Sequence, residues 1–497
     1  MSEPLLNELP MGWVLTNIET ITRDIDRIQP ADYPHTEFVY LDISSIDNRT
    51  NKIIEPKRYL GSDAPSRARQ IVQTSDILLS TVRVYLQNIA IVSESYDGQI
   101  ASTGFSILRT KDGIDPKYLF YYCLLADSVS RLEKLQRGTS YPAVRDSDVK
   151  AQIIPLAPTG EQQRIVDAIE TLFTRLDAGV EILKRLQANL KRYRASVLKA
   201  ACEGKLVPQD PDDEPASELL ERILVERRAR WEAEQLATFE AQGKKPPKGW
   251  QDRYPEPQSI DVDDLPELPE GWKYTRIDVL LSIARSGIKT GPFGSLLKKH
   301  EHQTEGVPVF GIENIARMKF VAGNKIFITD QKARELQAYS VQEGDVIISR
   351  SGTVGEACVI PMDIGEARIS TNLIRIVLNS NAILPDYFTL LFNGSIFLLN
   401  QIDELCSGST RDFLNQAILK SLVFPLPPIN EQVRITDVVD KHLSIMEIQE
   451  KLIDVALARV HQLRQSILRE AFMGKLVPQD PNDESASELL ERIRGNR

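Results

Sequence analysis

Cysteine and histidine are scarce in this 497-residue chain, with four and five copies. Cys123, Cys202, Cys358 and Cys406 lie too far apart for a disulfide framework or a zinc knuckle, and the histidines fall in no ligand spacing. Metal and disulfide chemistry are therefore not expected, and a reducing cytoplasm fits best. Long apolar runs are missing too. The longest, Tyr118 to Ala126, is far below the roughly 20 residues that a spanning helix needs. The first residues, MSEPLLNE, lack the basic region and apolar core of a signal peptide, so a soluble, unprocessed protein is expected. Catalytic signatures are equally thin. No Gly-x4-Gly-Lys-(Ser/Thr) phosphate loop and no Asn-Pro-Pro-(Phe/Tyr) tetrapeptide of amino-methyltransferases occurs. Glu203-Gly204-Lys205 with Pro211-Asp212 has the reverse order of a carboxylate-lysine nuclease, and the equivalent of Glu203 is Met473. Asp76 and Asp345 precede apolar runs, where a turn role outweighs catalysis.

The formal charge of −10 opposes nucleic-acid binding only at first sight, because phosphate contact needs local Lys and Arg. Between Val207 and Glu270 there are 17 acidic and 8 basic residues, which leaves −9 in that stretch alone. The remainder is near neutral and can carry basic faces.

What is abundant is repetition. Gly204 to Ile223, GKLVPQDPDDEPASELLERI, returns at Gly474 to Ile493 with only Asp212/Asn482 and Pro215/Ser485 changed. The same offset of 270 links Glu161-Gln162-Gln163-Arg164-Ile165 to Glu431-Gln432-Val433-Arg434-Ile435. Weaker echoes pair ELPMGW from Glu8 with ELPEGW from Glu267, SDILLS from Ser75 with GDVIIS from Gly344, and Gly138-Thr139-Ser140 with Gly408-Ser409-Thr410. Each half opens on a Pro-x-Gly-Trp turn. It continues through β-branched runs such as Phe38 to Ile43, Ile89 to Val92, Lys325 to Thr329 and Leu373 to Leu378, which read as strands. Pro-Leu-Ala-Pro (155 to 158) or Pro-Leu-Pro-Pro (425 to 428) then stops a strand, and a long helix begins at the Glu-Gln pair.

Both helices carry an apolar residue every seventh position. The rows are Ile169, Leu176, Leu183, Leu190, Val197 and Val439, Met446, Ile453, Val460, Ile467. A second row, Ile165, Leu172, Leu186 and Tyr193, widens the first stripe, whereas His442 and Gln449 weaken its counterpart. Sustained heptads predict coiled-coil packing, and each rod of about 42 residues reaches roughly 60 Å. An antiparallel pair is the economical way to bury two matching stripes. The expected fold is α+β: two β-rich mixed domains joined by two long antiparallel coiled-coil helices, with a pseudo-two-fold internal repeat. Expected boundaries are 1–160 for the first domain, 161–206 for its helix, 207–266 for an acidic, partly helical linker, 267–430 for the second domain, 431–475 for its helix and 476–497 for a tail repeating 206–223.

Two variable β-rich regions, each closed by Pro-Pro or near Pro-Pro, Glu-Gln-x-x-Ile and a helix ending in Ser-x-Leu-(Lys/Arg), resemble the specificity subunit of type I restriction-modification enzymes. The helix ends are Ser196-Val197-Leu198-Lys199-Ala200 through Leu206 and Ser466-Ile467-Leu468-Arg469-Glu470-Ala471 through Leu476. Ala456-Leu457-Ala458-Arg459-Val460 with Gln465-Ser466-Ile467-Leu468 is similarly typical of that family's second helix. The resemblance implies a non-catalytic subunit. Its two target-recognition domains would read a split double-stranded DNA site, with two methyltransferase subunits, and in a restriction complex two motor-nuclease subunits, docked on it. No cofactor is expected in this chain. S-adenosylmethionine, ATP and magnesium would belong to the partners. The near-identical tails then look like equivalent docking surfaces. The competing readings are a scaffold with duplicated docking helices that binds only proteins, and a fused restriction enzyme with an unrecognised catalytic site.

Base readers sit on loops. In the second half the candidates are Lys289, Thr290, Phe293, Ser295, Lys298 and Lys299, in a glycine-containing loop whose aromatic contacts a thymine methyl, wedges a base step or tucks into the core. Arg350, Ser351 and Thr353 follow the Asp345 strand, and Arg411 follows Gly408-Ser409-Thr410. In the first half the residues matching Arg350 to Gly352 are Thr81-Val82-Arg83, which makes Arg83 the leading candidate, with Lys52, Arg58, Tyr141 and Arg145 in other loops.

Overall fold

The computed structural model describes residues 9–294, 296–316, 318–406 and 413–495. They form two compact units, of which the first is assembled from both ends of the chain and the second is one continuous stretch. The first comprises Met1–Arg185 with Leu452–Arg497, and the second Leu186–Lys451. These units group the chain differently from segments drawn along the sequence. Each long helix is divided between the units, and the C-terminal tail belongs to the first.

Both units are built to one plan, with strands following the predicted runs but ending earlier. In the first, a sheet runs in the order Lys57–Leu60, Glu37–Leu41, Ile100–Ser102, Ala68–Ile71, and a second in the order Thr22–Arg23, Phe105–Thr110, Ile77–Ser80, Ile89–Ile91. In the second unit the corresponding orders are Phe327–Ile328, Val307–Phe310, Ala367–Ile369, Ser340–Val341 and Ile288–Thr290, Leu373–Ile376, Val346–Ser349, Ala357–Val359. Even the single parallel pairing recurs, with Ile100 opposite Tyr40 and Phe310 opposite Ile369. The expected strand after Lys325 shrinks to Phe327–Ile328. The polar side chains of Asn324 and Thr329 flank it, and Thr329 caps the helix Asp330–Glu335 instead.

The proline-stopped strand of each half pairs with the strand after the Gly-Trp turn. Val14–Asn17 lies antiparallel to Ile153–Leu156, and Lys273–Arg276 to Val423–Leu426. A long helix follows, Thr159–Cys202 in the first copy and Ile429–Phe472 in the second, each 44 residues or about 66 Å. The repeated Glu-Gln pair explains where each begins. Trp13 Nε1 donates to Glu161 at 2.9 Å and Trp272 Nε1 to Glu431 at 3.0 Å. Burial raises both carboxyls above their ordinary pKa, and the indole bond offsets part of that. The adjacent amides clamp the chain: Gln162 bonds Ala157 O and accepts from Asp115 N–H, and Gln432 bonds Ala382 O and accepts from Leu384 N–H.

Within each unit the two helices run antiparallel, as expected. In the first, the start of one helix and the end of the other meet at the entrance turn, where Glu161 bonds Trp13 and Gly474 packs on Pro10 and Trp13. In the second, Glu431 and Gly204 meet Trp272 in the same way. Tyr193 hydroxyl bonds His442 Nδ1 at 3.1 Å, and Arg194 pairs with Glu450 at 3.5 Å. Arg464 pairs with Asp177 and lies over the Phe173 ring. The seven-residue rows are buried at Ile169, Val197, Val439, Met446 and Ile453 and half-buried at Leu176, Leu183, Leu190, Val460 and Ile467. The second row is less buried than its pattern suggests, since Leu186 and Tyr193 are about half exposed.

The tails carry the largest revision. Ala486, Leu489, Leu490 and Ile493 are buried in the core of the first unit, against Trp13, Ile18 and Tyr118. Ala216, Leu219, Leu220 and Ile223 occupy the same place in the second unit. Each tail thus packs on the domain of the other repeat, and its apolar half is not a docking surface for a partner. The pattern is sealed by matched ion pairs, Arg164–Asp483 and Arg434–Asp213, each 2.6 Å. The Arg434 bond holds the Asp213 carboxyl below its usual pKa. That contribution is complete above the unfolded carboxylate pKa of about 4 and is lost as pH falls through the lowered folded value. Asp213→Asn is expected to cost the second unit about 1–3 kcal/mol at pH 7 and to abolish this acid dependence. Urea titrations of both proteins at pH 7 and pH 3 check it, and equal losses at the two pH values would contradict it.

The stretch 207–266 is not a simple linker. Its helix Ala216–Ala241 continues past the docked residues, and Trp250 folds back to stack on Trp231 at 5.8 Å with Tyr254 edge-on at 5.5 Å.

Candidate nucleic-acid interface

In the first unit three loop segments meet. The chain leaves the strand Ile77–Ser80 through Thr81, whose amide and hydroxyl both donate to Gly104 O. Arg83 follows in a left-handed conformation, φ +49°. Its amide donates to Pro142 O at 2.7 Å, its guanidinium donates to Ser140 O at 3.2 Å, and it lies 4.9 Å from the centre of the Tyr141 ring. Tyr141 is 72% exposed. Arg145, also exposed, starts the helix Asp146–Lys150. On the other side lies the hairpin formed by Ile46–Asp47 and Lys52–Ile53. It is tied to the same loop by Asn48, which donates to Leu86 O, and Asn51, which donates to Gln87 O and Ile89 O. Lys52, Arg83, Tyr141 and Arg145 therefore share one loop cluster. Arg58 does not join them. It sits on the edge strand Lys57–Leu60, paired with Glu37 at 3.2 Å.

The second unit gathers its candidates around Ser370 to Asn372. Gly291 N–H donates to Leu373 O, Thr371 hydroxyl to Pro292 O, and Gln416 Nε2 to Thr290 hydroxyl. Lys289 Nζ lies 5.0 Å from the Tyr339 ring centre. Phe293 is 62% exposed, which settles the choice left open by the sequence: it is presented to solvent, and Leu297 is the residue that tucks in. Lys298 and Lys299 are exposed beyond it. Ser351 hydroxyl bonds Asn372 Oδ1 at 3.1 Å, and Thr353 is exposed near Ser349.

Arg350 needs correction as a free loop contact, because it is only 5% exposed. Its amide donates to Asn372 O, Leu414 N–H donates to its carbonyl, and Phe413 covers its guanidinium at 3.8 Å. Burial lowers its pKa, and its guanidinium donates to Thr371 O at 3.4 Å. It braces the loops from beneath. Ser295 and Arg411 lie outside the described residues, as does Gly408-Ser409-Thr410.

The two aspartates close turns, as expected. Asp76 accepts from Gln73 N–H and from both sides of Arg109, and Asp345 accepts from Gln342 N–H and pairs with Arg285. The Asp76 carboxylate holds Arg109 above its ordinary pKa. Among the described residues, no group of three or more His, Cys, Asp or Glu side chains is placed to hold a metal, and no helix is long and apolar enough to cross a membrane. What the loops offer is arginine forks, lysines, hydroxyls and exposed aromatics, the groups that bond phosphates and base edges. Sequence reasoning passed over Asn48, Asn51, Gln87 and Phe413. Gln87 carries a signal in the repeat, since it stands where the second copy has Gly355.

Residues 42–192 and 269–457 match the family model described as "Type I restriction modification DNA specificity domain". The chain is 22% identical to the EcoKI specificity subunit of Escherichia coli K12, over 99% of this chain and 96% of that one. It is 28% identical to the Escherichia coli EcoAI specificity subunit over 67% of this chain, an alignment that spans only 60% of that relative. Among solved structures it resembles the HsdS subunit from Thermoanaerobacter tengcongensis, with TM-score 0.60, 26% identity and coverage of 96% and 100%. A chain from a study of complex assembly and conformational transition in a type I R-M system gives TM-score 0.68 at 26% identity, covering 94% and 99%. With both units matched by that model, the chain belongs to the type I restriction-modification DNA specificity family, as a specificity subunit and not a catalytic one.

Proposed function

We propose that each unit reads one tract of a two-part double-stranded DNA site, and that the chain carries two copies of a methyltransferase subunit to that site. The observation behind this reading is the duplication of a complete recognition unit, register for register, with different residues on its loops. Equal scaffolds with unequal loops suit a site whose two tracts differ in sequence. The exposed half of each tail supports a duplicated partner. Burial accounts for the shared leucines, but Lys205/Lys475, Gln209/Gln479, Asp210/Asp480, Glu218/Glu488 and Glu221/Glu491 are identical and exposed. Two matching exposed faces suit two copies of one protein. S-adenosylmethionine, and ATP with magnesium where restriction subunits join, bind those partners.

Replacing residues 12–158 with another domain of this type, in cells that also carry the methyltransferase, tests the reading. Sequencing of methylated adenines is expected to show one tract changed and the other retained. A change in both tracts, or in neither, would sink it.

A further inference from the structure

In the first unit, the loop after the strand Ile77–Ser80 keeps bulky polar side chains at two corners where the backbone favours glycine. Arg83 has φ +49° and Gln87 φ +52°. The same corners in the second unit are Gly352, φ +83°, and Gly355, φ +87°. Matching hydrogen bonds fix the equivalence. Ser80 and Ser349 hydroxyls donate to Val82 O and Ser351 O. Their amides donate to Asn88 O and Glu356 O, and Val144 and Leu414 amides donate to Thr81 O and Arg350 O. Left-handed backbone is unfavourable for any residue with a Cβ, and such positions persist where the side chain serves a purpose.

The side chains themselves suggest the purpose. A guanidinium fork matches guanine O6 and N7, and a carboxamide matches adenine N6 and N7. Between them Tyr85 and Leu86 are exposed and apolar, suited to a thymine methyl. The Tyr141 ring restricts the Arg83 side chain, and Asn48 and Asn51 pin the loop from behind. We propose that Arg83 and Gln87 are the base-reading residues of the first unit, toward guanine and adenine respectively, and that the second unit reads through a different loop. This rests on the DNA-reading function above.

The test uses the full chain and a duplex library with randomised bases, with bound sequences counted. The wild-type chain is expected to enrich two tracts. With R83G and Q87G combined, preference in one tract is expected to fall tenfold or more while the other tract is retained. The thermal midpoint should be unchanged or higher, since glycine suits both corners. Weaker binding with both preferences intact would make Arg83 a phosphate contact and overturn the proposal. A lower midpoint with both tracts blurred would make the loop structural and overturn it as well. If the wild-type chain enriches no sequence, DNA reading itself fails, and this inference goes with it.

Discussion

Removal of residues 474–497 is expected to unfold the first unit and leave the second folded. Leu489, Leu490 and Ile493 are buried among Trp13, Ile18, Ile21 and Tyr118, and together they contribute about 5–9 kcal/mol at 1.5–3 kcal/mol each. That equals much of the roughly 5–15 kcal/mol by which a whole domain is stable. The loss is compounded at Arg164, which gives up Asp483, and at Gly12, whose carbonyl gives up the Ala486 amide. Hydrogen exchange measured peptide by peptide should show protection lost between residues 9 and 185 and kept between 186 and 451. Uniform retention would contradict the assignment of the tail. Leu489→Ala is the milder form, expected to cost about 2–5 kcal/mol in the first unit, while Leu219→Ala does the same in the second.

Gly291→Ala carries the other large effect. A Cβ there would lie 1.8 Å from Ser370 O, a backbone atom, so no small side-chain adjustment relieves it. The strand Ile288–Thr290 must then separate from Leu373–Ile376, and with it the loop that presents Lys289 and Phe293. Overpacking of this kind costs about 1–3 kcal/mol. The more telling readout is DNA preference, which should fall tenfold or more in one tract only. Gly294→Ala, with nothing within 4 Å of the added carbon, is the matched control and should leave preference unchanged. Full preference retained by Gly291→Ala would remove this loop from the interface.

The repeat, the helices and the recognition family were legible because they rest on periodicity and on long identical words, which need no tertiary context. The heptad rows did turn inward, and the Glu-Gln pairs did mark the helix starts. Partnership between distant segments was not legible. Nothing in GKLVPQDP states that the second copy closes the first domain, since both copies fit both receivers by sequence, and only the three-dimensional path selects the crossed arrangement. The same limit applied to the loops. Arg350 and Arg83 stand only two columns apart in the repeat, yet Phe413 covers the first, and the second is held by the Pro142 carbonyl and lies over the exposed Tyr141 ring. Phe293 offered no signal either way, because exposure of one aromatic depends on whether Leu297 fills the space beneath.

The crossed tails also set an order of events during synthesis. The first unit waits for Leu452–Arg497, while Leu186–Lys451 is one uninterrupted stretch. At about 5–20 residues per second, the segment that emerges first spends roughly 15–60 s without its final layer. The earliest part of the chain to leave the ribosome is thus the last to mature, and during that interval it is the part most in need of a chaperone.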